Sequence, residues 1–196
     1  MSKQLVAYFS AGGVTAQIAK RLASATGADL FEISPVDPYT DKDIKWTNPL
    51  ARCNKEKIGR KDVPISGKIE NLDDYDVIYV GFPIWYYSAP NIIVTFLKSY
   101  DFSGKKIALF ATSGGSDIGK TAEKIKPLIS ETVNIVAAKL FQSDDGEDIL
   151  RKWAESILAL RISISCRSTY YHHDLHTSDS NSGCRSSRDA GSIRSV

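Results

Sequence analysis

Apolar positions along this chain come in a two-part unit that recurs: a short continuous hydrophobic run, a turn, then apolar residues at helical spacing. QLVAYF (4 to 9) is followed by VTAQIAKRLASAT, in which Ile18, Ala19 and Leu22 share one face. ADLFEI (28 to 33) is a second run and ends at Ser34-Pro35. DVIYVGFP (76 to 83) is apolar almost without interruption, the signature of a central strand covered on both faces. It leads to a predicted helix in NIIVTFLKSY. KKIALFAT (105 to 112) then precedes a helical IGKTAEKIKPLI, and VNIVAA (133 to 138) precedes a closing helix in GEDILRKWAESILAL. The polar stretch from Val36 to Asn71 breaks this rhythm, and its Asp41 to Lys57 part is expected to contain a helix.

Strands alternating with helices imply a parallel sheet with right-handed crossovers and helices on both faces. Five such units predict a doubly wound α/β fold of strand order 2-1-3-4-5. In that fold ligands sit beyond the carboxyl ends of the strands, near the switch point between strands 1 and 3.

Composition bounds the picture without changing it. The 196 residues are 42% hydrophobic and 24% charged, which suits one globular domain. No run approaches the ~20 apolar residues of a membrane helix, and Met-Ser-Lys-Gln enters the first strand without a leader, so a cytosolic protein without a membrane partner is expected. The domain is expected to span 1 to 161. Residues 162 to 196 differ in kind: ten are serine, and His172, His173 and His176 all fall there. That composition fits either a disordered tail or a foreign reading frame. The histidines have no ligand partners at a metal-binding spacing, and Cys53, Cys166 and Cys184 form no zinc pattern, so no metal is expected. Without the tail's four basic and three acidic residues, the totals of 25 and 23 fall to 21 Lys+Arg against 20 Asp+Glu, which points away from nucleic acid.

Three loops at predicted strand ends carry the candidate chemistry. In SAGGVT, Ser10 and Thr15 offer hydroxyls, Gly12 and Gly13 let the chain turn tightly, and the amides of a helix starting near Val14 face outward to an anion. No Lys or Arg lies in that loop. PIWYYSAP places Pro83, Ile84, Trp85 and Tyr86 where the chain leaves the sheet, with flat side chains suited to stacking on a ring system. TSGGS supplies Ser113, Gly114, Gly115 and Ser116, small residues with backbone donors. Each loop also has a purely structural reading, as a capped turn or a hydrophobic plug. Taken together they describe one site for flavin mononucleotide (FMN).

Gly114 to Thr121 reads GGSDIGKT, a literal G-x-x-x-x-G-K-T between strand and helix, so a nucleotide-phosphate loop is an alternative. It lacks the acidic strand end that a magnesium site wants and leaves the other two loops unexplained. No His lies in the body and Cys53 stands alone, so no catalytic nucleophile or base is assigned.

YFSAGGVT, GFPIWYY and TSGGSDIG closely resemble the loops of the flavodoxin family, where YFS-x-x-G-N-T, G-[FY]-P-I-W-W/Y and T-S-G-G-S-x-x-G occur. The strand-order rule used above is itself exemplified by flavodoxin. The resemblance spans about Lys3 to Leu160. It implies non-covalent FMN, with Ser10, Gly13, Val14 and Thr15 on the phosphate, Pro83 to Tyr86 along the ring and ribityl chain, and Ser113 to Ser116 closing the far side. Val14 stands where the family commonly has asparagine. The expected function is electron transfer with a redox partner protein. The alternative is a reductase that uses NAD(P)H and a small acceptor such as a quinone; a phosphoacceptor signalling module is disfavoured because Ser10 and Pro83 stand where acidic residues would be needed.

Overall fold

Each apolar run becomes a strand and each amphipathic segment a helix in the computed structural model, which describes residues 3–160. In chain order the elements are β1 (Gln4–Tyr8), α1 (Val14–Thr26), β2 (Asp29–Glu32), β3 (Ser34–Pro35), α2 (Arg52–Gly59), β4 (Ile65–Ser66), β5 (Val77–Pro83), α3 (Asn91–Lys98), β6 (Lys106–Thr112), α4 (Thr121–Ile125), β7 (Asn134–Phe141) and α5 (Glu147–Ala159). The main sheet is parallel, in the order β2-β1-β5-β6-β7. Counting only its five strands, this is 2-1-3-4-5, the expected doubly wound fold.

The sheet has two covered faces because its central strands bury both sets of alternating side chains. Ile78, Val80 and Leu109 pack against Ile92, Ile93 and Phe96 of α3. On the other face Val6, Tyr79 and Phe110 meet Ile18 and Leu22 of α1 together with Leu150, Trp153 and Ile157 of α5. Each such side chain contributes about 1.5–3 kcal/mol by leaving water. Gly81 in β5 is a packing requirement: a Cβ there would lie 2.1 Å from the Phe110 ring.

Three local expectations are corrected. The helix expected within Asp41 to Lys57 starts only at Arg52. Pro49 disfavours helix at Asn48, and upstream the Asp43 carboxylate accepts bonds from the Thr40 amide and hydroxyl, closing a competing turn. The helix read in IGKTAEKIKPLI is a five-residue α4 followed by a 3-10 turn at Lys126–Leu128, since Pro127 cannot donate to a continuing helix. Finally, β7 extends beyond Ala138 to Phe141, and β3 and β4 form a small antiparallel pair that hydrophobic periodicity does not reveal. The Ser-rich stretch 162 to 196, its histidines, Cys166, Cys184 and the boundary at 161 lie outside the described residues. Among those described, no helix is long and apolar enough to cross a membrane.

Candidate functional site

Parallel pairing puts the carboxyl ends of β1, β5, β6 and β7 along one edge, and two adjoining cavities open there. The smaller, about 330 Å³, lies at the start of α1 and is lined by Gly12, Val14 and Thr15 from the first loop. Gly13 adopts φ +83°, a left-handed conformation that glycine accepts freely, and its amide donates to Ser10 Oγ at 3.1 Å. Ser10 therefore shapes the turn rather than lining the cavity. The first helical bond runs from Gln17 N–H to Gly13 C=O, so the amides of Val14 to Ala16 have no intrahelical acceptor. No acidic side chain occupies that first turn.

Thr15 is 1% exposed, and its hydroxyl lies 2.7 Å from that of Thr112 at the end of β6. Two hydroxyls sharing one hydrogen bond consume one proton and leave the other free to donate. Pro83, Ile84, Ser113 and Gly114 continue the wall, and Phe141, Gln142 and Ser143 complete it. The Gln142–Ser143 segment is fixed from outside: Arg21 of α1 donates to Ser143 C=O at 2.7 Å and Asp145 C=O at 2.6 Å. Among the described residues, no charged side chain lines this cavity.

The larger cavity, about 520 Å³, shares Ile84, Ser113 and Gly114 with its neighbour and extends over the aromatic loop. Trp85 and Ser88 exchange both backbone bonds, at 2.9 and 3.1 Å, which closes a two-residue hairpin turn. Its central residues, Tyr86 and Tyr87, have φ +52° and +57°. Turns of this hand ordinarily use asparagine and glycine; two consecutive tyrosines hold strain of order 1–3 kcal/mol each. The surrounding structure maintains it. Lys124 donates to Tyr87 C=O and Lys57 to Ala89 C=O, while Trp85 is gripped edge-on by Phe9 and Tyr39, with ring centroids 5.7 and 5.5 Å away. Trp85 is thus both a plug against the core and a wall of the cavity.

Tyr39 is fixed in turn by a hydrogen bond to Glu56 and by the Arg52 guanidinium over its ring at 4.4 Å. Burial, then the bond to Glu56, pushes the Tyr39 phenol up, so it stays neutral and donating. Burial also raises the Cys53 thiol, which faces the Tyr86 hydroxyl. Lys57 is lowered by burial and by Lys124 nearby. On the opposite wall Ser113 Oγ accepts the amides of Gly115 and Ser116, at 3.2 and 2.7 Å. Those amides, expected as donors to a ligand, are engaged within the loop.

Of the expected site residues, Gly12, Val14, Thr15, Pro83, Ile84, Trp85, Tyr86 and Ser113 to Ser116 line one or both cavities, whereas Ser10 and Gly13 form the turn behind them. Thr112, the first residue of the TSGGS loop, had been given no role, and Gln142 and Ser143 were missed, although the strand-end rule applied to β7 would have found them. Ile44, Trp46 and Cys53 were also missed, coming from a polar stretch that carries no periodic signal. The nucleotide-phosphate loop is not built. Thr121 is fully buried with its hydroxyl on Ile118 C=O, Lys120 is exposed, and the helix that follows is too short to present an anion site.

The flavodoxin family profile matches residues 3–157, and the chain belongs to that family. A protein of Bacteroides eggerthii DSM 20697 provisionally named a flavoprotein is 40% identical, with 82% of this chain and 100% of that one covered and a TM-score of 0.76. A second from Bacteroides uniformis ATCC 8492, named in the same way, is 36% identical over 79% and 98%, with a TM-score of 0.73. A Lactobacillus acidophilus NCFM flavoprotein solved in complex with FMN shares the fold at 23% identity, 79% and 99% coverage and a TM-score of 0.59. No functionally curated protein matches the chain.

Proposed function

We propose that this flavodoxin-family protein binds FMN non-covalently and acts as a redox flavoprotein. The observation that carries the reading is a pair of adjoining strand-end cavities of different chemistry, neither lined by a charged side chain among the described residues. In the smaller half the amides of Val14 to Ala16, the Thr15–Thr112 hydroxyl pair, Ser113 and Ser143 fit a phosphate held by neutral donors and a helix end. In the larger half Ile84, Trp85 and Tyr86 face Ser113 to Ser116 and fit the flat ring. The two Bacteroides relatives bearing flavoprotein names support a flavin at this site. Bound FMN would supply one- and two-electron transfer, chemistry that belongs to the cofactor. The chain's own residues anchor it, screen it from water and set its surroundings: an apolar wall penalises negative charge beside it.

The nearly balanced body, 21 basic against 20 acidic residues, provides little field for steering an oppositely charged protein partner. This favours, as the second reading, an NAD(P)H-dependent enzyme that reduces a small acceptor. Two measurements test both levels. Titration with FMN should perturb and quench the flavin spectrum, and an unchanged spectrum in excess FMN removes the proposal. Holoprotein that oxidises NADPH with a quinone present is a reductase, whereas one that needs an added reductase is a carrier.

A further inference from the structure

The four most exposed large apolar side chains among the described residues come from α2, the segment before it and the aromatic turn. Trp46, Leu50, Ile58 and Tyr87 are 70, 72, 83 and 69% exposed, and the next, Val36, is 58%. Trp46 and Tyr87 border one cavity. Leu50 donates its amide to Asn48 Oδ1, and Asn54 of α2 donates to Trp46 C=O and Asn48 C=O at 3.0 and 2.7 Å. The segment carrying Trp46 and Leu50 is thereby tied to one side of the helix. Ile58 stands one turn beyond Asn54 and so on that same side. Single exposed apolar residues are ordinary, whereas a contiguous group marks an interaction surface.

Charge is as unevenly placed. Residues 42 to 61 hold seven Lys and Arg but only two acidic residues, although the body as a whole is balanced. Both acids are engaged: Asp43 accepts from Thr40, and Glu56 accepts from Arg52 and Tyr39. Lys42, Lys45, Lys55, Arg60 and Lys61 are exposed, and among the described residues none of them forms an ion pair. We propose that this surface adsorbs on an anionic lipid membrane, with Trp46, Leu50 and Ile58 entering the headgroup region and the lysines against lipid phosphates. A second copy of the chain is disfavoured because like charges would meet. A protein partner is disfavoured because four of these five cations are lysine, which protein interfaces deplete. Lysine beside Trp and Leu is instead the composition of segments that lie on membrane surfaces. The expectation of no membrane partner rested on the lack of a spanning run, which bears on crossing a bilayer and not on lying against one. The proposal is independent of the FMN reading.

The test is co-sedimentation of the full chain with vesicles of phosphatidylcholine alone and of phosphatidylcholine and phosphatidylglycerol in equal parts. Tryptophan quenching by brominated phosphatidylcholine is read in the mixed vesicles. The expected result is binding to the mixed vesicles, weakened by salt, and little binding to the neutral ones. The Lys45→Gln, Lys55→Gln double variant should bind roughly thirtyfold more weakly, the loss of two lysines near an anionic surface. Leu50→Ser, Ile58→Ser should also weaken binding, and Trp46→Phe should lose the quenching. Lys20→Gln, Lys152→Gln, with exposed lysines of α1 and α5, should bind as the native chain does. No preference for the mixed vesicles, an equal loss in the Lys20, Lys152 variant, or quenching retained in Trp46→Phe overturns the proposal. Binding of poly-L-glutamate that depends on Lys45 and Lys55, without binding of vesicles, assigns the surface to an acidic polypeptide and overturns it as well.

Discussion

The two halves of the cleft are built by opposite means. At the smaller cavity, proposed for the phosphate, a relaxed backbone does the work: Gly13 takes its left-handed φ without strain, Ser10 and Thr112 satisfy their neighbours, and Arg21 braces the far loop without entering the cavity. At the larger cavity, proposed for the ring, the backbone is strained at Tyr86 and Tyr87, and the strain is held by packing around Trp85 and by two lysines. Neutral dipoles need only correct local geometry, whereas an aromatic wall at a strand exit must be forced to stay open against collapse onto the core. The first half should therefore respond to loss of single hydrogen bonds, and the second to loss of packing.

The largest effect separating the halves is expected for Trp85→Ala. Removing a half-buried indole from between Phe9 and Tyr39 should cost about 2–4 kcal/mol of stability in denaturant unfolding. The ratio of FMN to riboflavin affinity in that variant should stay near the native value, because the phosphate cavity is untouched; a collapsed ratio would show the halves are one mechanical unit. Next comes Thr15→Val, which leaves Thr112 buried without its partner and should cost about 1–3 kcal/mol. It should weaken FMN while leaving riboflavin unchanged, and the Thr15→Val, Thr112→Val double variant should regain most of the stability but not the FMN preference.

A smaller effect of opposite sign is expected at the strained turn. Tyr87→Gly should raise stability by about 0.5–1 kcal/mol, since glycine accepts φ +57° freely and little burial is lost. A destabilised variant would mean the tyrosine ring contributes more than its backbone costs. The smallest concerns pH. The Thr40 hydroxyl and amide hold the Asp43 carboxyl below the usual carboxylate range. A depressed folded value stabilises the turn above the unfolded pKa, about 3.9, and that contribution is lost as pH falls through the folded value. Protection of the Thr40 amide, its exchange rate relative to the unstructured rate at the same pH, should fall only below about pH 4, and a fall in protection between pH 5 and 7 would contradict the assignment.

How legible this was in the sequence follows the same division. α1 forms over the residues its periodicity marked, Val14 to Thr26, and β5 is the buried central strand that its apolar run announced. Local rules were enough there because each segment's pattern agrees with its burial. The cleft was readable wherever a loop directly follows a predicted strand. Trp46, Ile44 and Cys53 were not, because a polar stretch with Pro49 and the Asp43 turn reaches the site through tertiary packing of α2, which no period encodes. Thr112 was hidden for a different reason: as the last residue of a strand it reads as sheet, and its partner lies 97 positions away.

The central claim is that a phosphorylated flavin is held here by neutral donors and a helix end. It is tested most directly by comparing FMN and riboflavin affinities at low and high salt. Exposed cations would be screened within a Debye length of about 3 Å at 1 M salt. A tighter grip on FMN that persists at about 1 M salt is the predicted result. Equal affinity for the two flavins, or a preference that vanishes as salt rises, would contradict it.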